Sequence, residues 1–260
     1  MATFYKYHGT GNDFILIDNL QGDPIELSMS EVKHLCDRRF GIGADGLITM
    51  RSLAGYDFEM VYYNADGNTG SMCGNGGRCI VQFAYDRGIH RYTYNFMASD
   101  GPHEAEIDKN GIIRLKMKDV NSVEEHNNFS VLDTGSPHYI KFVNDASDVN
   151  VVLTGRDIRN SNAYQKDGIN VNFVQNLEDD QIFVRTYERG VEDETFSCGT
   201  GVTAAALVSA HNYRGFNRVG VKTIGGLLSV EFTKTSDSSF ENIWLCGPAT
   251  FVFKGEIELN

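Results

Sequence analysis

The chain has 260 residues, enough for one large domain or two of about 130, each able to bury its own core. Its formal net charge of −12, with no offsetting basic stripe, argues against nucleic acid or an anionic membrane surface as a partner. No run of eighteen apolar residues occurs and the opening MATFYKYHGTGNDF lacks the apolar core of a signal peptide, so a cytoplasmic protein with reduced thiols is expected.

In chain order, FILID (14–18) and FEMVYYN (58–64) are short, partly alternating runs of β-branched and aromatic residues, as strands should be. MCGNGGRC (72–79) then sets Cys73 ahead of a Gly-Asn-Gly-Gly run. After it, Arg78 to Asp86 has helical composition and ends at Arg87-Gly88, where a glycine cap would sit. IIRLKMK (112–118), YIKFV (139–143) and IFVRTYE (182–188) read as strands again. SCGTGVTAAALVSA (197–210) repeats the earlier pattern, with Cys198 ahead of Gly-x-Gly. A helix is expected from Val202 to Asn212, closing at Arg214-Gly215 and buried on every side. LSVEF (228–232) is a further strand, and FVFKGEIEL (251–259) is expected to return as a strand to the first half.

These echoes share a common offset. Gly11 of GTGNDFILID matches Gly135 of DTGSPHYIKF, and Asn64 of YYNADG matches Glu188 of TYERG, each pair 124 residues apart. Cys73 and Cys198 are 125 apart, and Asp45 pairs with Asp167 at 122. A duplicated half is implied, with strands wrapped around one buried helix in each copy. The fold class is α+β, with two pseudo-symmetric lobes, each a barrel-like, largely antiparallel sheet around a central helix. The lobes are expected at 1–117, with a returning strand in 249–260, and at 118–248.

A cysteine just before a helix N-terminus lies at the positive end of the helix dipole, which favours the thiolate. The glycines behind it let backbone N–H groups turn toward an anion such as a carboxylate. Two such loops related by duplication can set two sulfurs on opposite faces of one substrate carbon. One thiolate then removes an α-proton while the opposed thiol delivers another, a geometry suited to inverting a stereocentre. Cys36, Cys79 and Cys246 have no glycine loop behind them and read as core packing. Five cysteines without CxxC suggest neither a disulfide framework nor a zinc site, and the histidines show no HxxxH spacing. No metal or other cofactor is expected.

Taken together, HGTGNDFILID, RRFGIGADGL, YNADGNTGSMCGNGGRC, GSPH, GINVNFVQ, YERGVEDETFSCGTG and the closing GPA resemble the diaminopimelate epimerase family over nearly the whole chain. The resemblance implies a cofactor-independent, homodimeric epimerase of lysine and peptidoglycan precursor biosynthesis, acting on diaminopimelate with Cys73 and Cys198 as the acid/base pair. By the same motifs Gly74, Asn75, Gly199 and Thr200 would bind the reacting carboxylate. Asn12, Asn64, Asn170, Glu188 and Arg189 would hold the other groups, with Arg189 on the distal carboxylate and Glu188 on an ammonium. His138 would lie near the reacting centre. Two positions vary from the family pattern. Ser136 stands where many members have a substrate-contacting asparagine, and Gly46 stands where some carry glutamine and others also glycine.

Other readings stay open on the sequence. A proline racemase-like enzyme would also use two thiols, but such enzymes usually carry histidine where Asn75 stands. A phenazine-synthesis-type isomerase shares the implied fold without the cysteine pair. A two-lobed amino-acid binding protein would leave the cysteines incidental. Glu188-Arg189 alone could be a surface ion pair, the three asparagines turn residues, and His138 a satisfied structural histidine.

Overall fold

The computed structural model describes residues 1–21, 23–70 and 72–259. Ser71, inside the first cysteine motif, and Asn260, at the end of the tail, lie outside the described residues. The chain divides into two compact units, Met1–Leu115 with Pro248–Asn260, and Lys116–Gly247.

The first unit strings together β1 (Ala2–Gly9), β2 (Asn12–Asn19), α1 (Met29–Cys36), β3 (Gly46–Arg51), β4 (Phe58–Asn64), α2 (Gly74–Asp86), β5 (Thr93–Ala98), β6 (Gly101–Ile107) and β7 (Ile113–Lys116). The second carries β8 (Glu124–Glu125), β9 (Ser130–Asp133), β10 (Pro137–Phe142), α3 (Val151–Arg159), β11 (Asn170–Asn176), β12 (Gln181–Glu188) and β13 (Asp193–Thr195). It continues with α4 (Gly199–Val208), β14 (Gly215–Thr223), β15 (Gly226–Lys234) and β16 (Phe240–Gly247), and β17 (Thr250–Ile257) belongs to the first unit.

Strand pairing makes the duplication explicit. In the first unit the order is β17-β1-β2-β3-β4-β5-β6-β7, antiparallel except for the parallel pairs β2–β3 and β4–β5. The second runs β8-β9-β10-β11-β12-β14-β15-β16, antiparallel except for β10–β11 and β12–β14. The register agrees as well. Phe14 faces Gly46 as His138 faces Asn170, so both pairs keep the offset of 124 residues. Asp45 sits immediately before β3, so this offset matches it with Ile169 and not with Asp167, as the motif spacing suggested. The tail expectation holds, since Thr250–Ile257 pairs antiparallel with β1.

Each sheet curls about one helix. Helix α2 touches β17, β1, β2, β3 and β6, and α4 touches β9 through β12 and β14 through β16. Strands lie about 4.8 Å apart and a helix is about 10 Å wide, so only a curved sheet reaches one helix from both ends of its strand order. Val202–Leu207 is buried on every side, as its composition implies. Helix α2 ends as expected, with Arg87 as C-cap and Gly88 at φ 94°. Helix α4 instead stops at Val208, short of Asn212. Ser209 turns its hydroxyl back on the Ala205 carbonyl (2.8 Å), and Asn212 pairs with Asn217 and Phe216 in the turn into β14.

Two shorter helices escaped the composition reading. Ser28 and Glu31 cap α1 reciprocally, and Val32, Leu35 and Cys36 pack it against Ile15, Ile17 and Leu47. Asn150 caps α3, where Gly155 lets the helix lie directly on β12: a Cβ there would come within 2.4 Å of the Tyr187 Cβ.

Candidate active site: two cysteine half-sites

The two cysteines hold equivalent places. Cys73 is the N-cap of α2 (φ −94°, ψ 130°) and Cys198 the N-cap of α4 (φ −105°, ψ 113°), and neither sulfur caps its own helix. What the sequence presents as a glycine loop is the first helical turn itself, with Gly77 N–H already bonded to the Cys73 carbonyl (2.7 Å) and Val202 N–H to that of Cys198 (2.8 Å). The glycines serve close packing. A Cβ on Gly76 would meet Ile48 and Met60 at 3.2 and 3.3 Å, and one on Gly201 would meet Asn172 Oδ1 at 2.4 Å. Each half-site therefore presents a sulfur beside first-turn N–H groups and the positive helix end, which together suit a carboxylate.

In the first lobe, Asn12 is the hub. Its Oδ1 lies 3.6 Å from Cys73 Sγ and accepts from Asn75 Nδ2 at 3.1 Å, while its Nδ2 donates to Asp45 at 2.7 Å. Asp45 and Asp13 are joined by Arg38 (2.6 and 2.7 Å), and Lys6, almost fully buried, pairs with Asp13 at 2.7 Å. Burial alone would raise the Asp13 pKa, but the hydrogen bonds from Arg38 and Lys6 outweigh it and hold the carboxyl well below the usual range. Arg78 is fully buried and donates to Asn75 Oδ1 (2.9 Å), Thr10 Oγ1 (3.2 Å) and the Gly74 carbonyl (3.3 Å). Thr10 (φ 50°) and Gly11 (φ 86°) form the tight turn that delivers Asn12. Lys6, Asp13, Arg38 and Arg78 lie in or beside the recognised motifs but carry no site signal in the sequence, and Asp45 figures there only as a repeat landmark, because a charged group is read first as solvated surface.

The second lobe is built differently. Cys198 Sγ lies 3.5 Å from Thr200 Oγ1, which lies 2.9 Å from His138 Nε2. His138 Nδ1 faces Asn172 Nδ2 at 3.1 Å, and Asn172 is fixed by the Tyr139 carbonyl (3.1 Å) and the Thr186 hydroxyl (2.9 Å). Burial, and then the charge of Arg189, push the His138 pKa down to about 3, so the ring is neutral near pH 7. His138, expected near the reacting centre, is 0% exposed with both ring nitrogens engaged, and Thr200 stands between it and Cys198.

The remaining candidates gather at the strand ends. Asn170 donates to Ser136 Oγ (2.8 Å) and the Pro137 carbonyl (3.0 Å) and accepts from Arg189 N–H (2.9 Å). The exposed Arg189 reaches Ser136 Oγ at 3.2 Å and the Asp167 carbonyl at 3.0 Å, and Glu188 accepts from Thr195 at 2.8 Å. Ser136 Oγ is thus an acceptor shared by Asn170 and Arg189. Asn64 is exposed at the end of β4, opposite Gly46, where a Cβ would come within 2.6 Å of the Tyr62 ring. A longer residue at 46 would need that ring to move.

Cys36, Cys79 and Cys246 are buried. Burial pushes the Cys36 thiol up to about 12 and Cys79 higher still, as inert core thiols require. Among the described residues no group of three or more His, Cys, Asp or Glu side chains could hold a metal ion, and no helix is long and apolar enough to cross a membrane.

Comparison with known proteins matches residues 4–123 and 130–252 to the family described as diaminopimelate epimerase. A diaminopimelate epimerase of Flavobacterium psychrophilum is 50% identical over 97% of this chain and 99% of its own. One from Chlorobaculum tepidum is 43% identical over 96% and 99%. Among solved structures, a phenazine biosynthesis protein of the PhzF family from Bacillus anthracis matches with TM-score 0.76 at 13% identity, covering 99% of both chains. A probable proline racemase from Agrobacterium radiobacter matches with TM-score 0.73 at 13% identity, covering 100% and 94%. At such identities these two show the shared two-lobed fold alone.

Proposed function

This chain belongs to the diaminopimelate epimerase family, and we propose that it interconverts LL- and meso-diaminopimelate by proton transfer at one α-carbon. The observation that carries the reading is the placement of Cys73 and Cys198 as N-caps of the two equivalent central helices, in a chain half identical to a named epimerase.

The chemistry follows from the half-sites. A thiolate takes the α-proton, and the electron pair left behind spreads into the adjacent carboxylate. First-turn N–H groups at Gly74, Asn75, Gly199 and Thr200 stabilise the growing negative charge, which is larger in the transition state than in the bound substrate. The other cysteine, a neutral thiol, gives its proton to the opposite face. The sulfurs exchange protonation states in each turnover, and no electrons leave the system. Arg189 and Glu188 supply a guanidinium and a carboxylate for the distal carboxylate and ammonium, and Asn12, Asn64 and Asn170 offer amides to the substrate's other polar groups. Cytoplasmic location and a homodimer belong to the same reading.

NMR of the purified protein with LL-diaminopimelate in D₂O, without added cofactor, tests it. Deuterium should enter one α-carbon of the meso product. Racemisation of proline at a comparable rate, or binding without exchange, would replace this reading by one of the alternatives.

A further inference from the structure

The two half-sites deliver opposite hydrogen-bond polarity to their sulfurs, and the direction can be followed atom by atom. In the first lobe the chain is anchored by groups with only one option. The Arg78 guanidinium can only donate, so it takes Asn75 Oδ1 (2.9 Å) and leaves Asn75 Nδ2 facing Asn12 Oδ1 (3.1 Å). The Asp45 carboxylate takes Asn12 Nδ2 (2.7 Å). The atom Asn12 turns toward Cys73 Sγ, 3.6 Å away, is therefore an acceptor. It takes a hydrogen bond from a thiol and repels a thiolate.

In the second lobe the anchors run the other way. The Tyr139 carbonyl can only accept, which fixes Asn172 Nδ2 as the donor to His138 Nδ1 (3.1 Å). His138 then carries its proton on Nε2 and donates it to Thr200 Oγ1 (2.9 Å). The Thr200 hydroxyl keeps its own proton, which it can give to Cys198 Sγ at 3.5 Å. A donor aimed at sulfur favours the thiolate. The charged groups tied to the first chain are Asp45, Asp13, Arg38, Lys6 and Arg78; in the second, Arg189 acts on the neutral His138, and Glu188, its neighbour in sequence, accepts from Thr195.

We propose that the ligand-free protein rests with Cys198 as the thiolate and Cys73 as the thiol, a polarity set by Thr200 donating to one sulfur and Asn12 Oδ1 accepting from the other. The resting form is then primed to remove an α-proton presented to Cys198, and it must pass its proton across before working in the opposite sense. Thr200 and Asn12 act here as positioning residues. The proposal rests on the reading of both cysteines as the reacting groups, but its test needs no substrate.

Thiolate absorbance near 240 nm, followed through a pH titration of the full-length Cys73→Ala and Cys198→Ala variants, reads each sulfur over the common background of Cys36, Cys79 and Cys246. Cys198, retained in Cys73→Ala, should ionise at the lower pH. Adding Thr200→Val should move that midpoint up by about one pH unit, and Thr200→Ser should restore it. In the unmutated protein, iodoacetamide at limiting pH with peptide mass spectrometry should show Cys198 carboxamidomethylated first. A lower midpoint for Cys73, or a Cys198 midpoint indifferent to Thr200→Val, would overturn the assignment. An inactive protein that titrates as stated would instead count against the epimerase reading alone.

Discussion

Beneath their cysteines the two lobes solve one packing problem with opposite chemistry. At positions 124 residues apart, Phe14 and Ile48 underlie the first turn of α2, where His138 and Asn172 underlie that of α4. The first lobe keeps an apolar floor and brings polar control from the side, through Asn12, Asp45 and buried Arg78. The second runs its polar chain through the floor itself, up to Thr200. Even the helices repeat the exchange: Arg78 donates to the Gly74 carbonyl at 3.3 Å, and Thr203 to that of Gly199 at 2.9 Å. Duplication preserved backbone and register, and the side chains at matched positions diverged until each sulfur had its own surroundings.

The comparison breaks most visibly at the sulfurs. If both half-sites are required for one inversion, Cys73→Ala and Cys198→Ala should each lower kcat/KM for epimerisation, on the order of 10³-fold, since an acid or a base is missing. Chiral chromatography of the product mixture measures this. A large loss in one variant alone would mean that the two half-sites are not functional equivalents.

Matched glycines sharpen the contrast in floors. Gly76→Ala meets the ends of Ile48 and Met60 at 3.2 and 3.3 Å, side chains that can yield, and alanine recovers helix propensity, so the net change should stay under about 1 kcal/mol. Gly201→Ala drives a methyl to 2.4 Å from Asn172 Oδ1, which Thr186 and His138 hold in place, and should cost about 3 kcal/mol. Urea unfolding reads both. Equal costs would show that the polar floor yields as readily as the apolar one.

Much of this architecture was legible in the sequence because duplication repeats its landmarks. Gly11 and Gly135, Asn64 and Glu188, and the two Cys-Gly runs mark both central helices and the cysteine ahead of each. The returning tail was legible too, as a strand left over after the second copy. Helix α1 was missed because a lone capping box precedes only eight residues, and the end of α4 because Ala210 and the residues after it keep helical composition while local side-chain bonds close the turn. Arg78 and Asn172 were unreadable for another reason. Polar residues announce burial only through their partners, and among those partners Thr10 and His138 are 68 and 34 residues away.

Acid should separate the lobes next. His138 ionises near 6.5 when unfolded and is held at about 3 in the fold by burial and then by Arg189. The unfolded chain therefore binds that proton first. Stability is fully present above pH 6.5 and lost as pH falls below it, by about 2 kcal/mol at pH 5. Asp13, held down by Arg38 and Lys6 against its burial, contributes stability that is present above its ordinary value of 3.8 and lost only as pH falls further. Unfolding curves across pH should flatten between 6.5 and 5 in His138→Gln and only below about 4 in Asp13→Asn. A His138→Gln profile as steep as that of the parent would mean that the ring is not held neutral.

The smallest effect tests whether the peripheral helices diverged as the half-sites did. Ser28 caps α1 in a reciprocal pair, its Oγ accepting from Glu31 N–H at 3.3 Å while Glu31 accepts from Ser28 N–H at 2.7 Å. Asn150 caps α3 alone, accepting from Leu153 N–H at 3.0 Å, with an apolar residue where the first helix has its glutamate. Ser28→Ala and Asn150→Ala each remove one acceptor from a half-satisfied helix end and should each cost about 1 kcal/mol. Glu31→Ala should add a few tenths on the first helix, because the Ser28 N–H can turn to water at this exposed position, whereas Leu153→Ala loses no cap at all. Equal thermal shifts for the two cap variants would indicate that divergence was confined to the surroundings of the sulfurs. A loss at Ser28 well beyond that at Asn150 would show that α1, which packs against the strands leading to Asn12 and Asp45, carries part of the first half-site's rigidity.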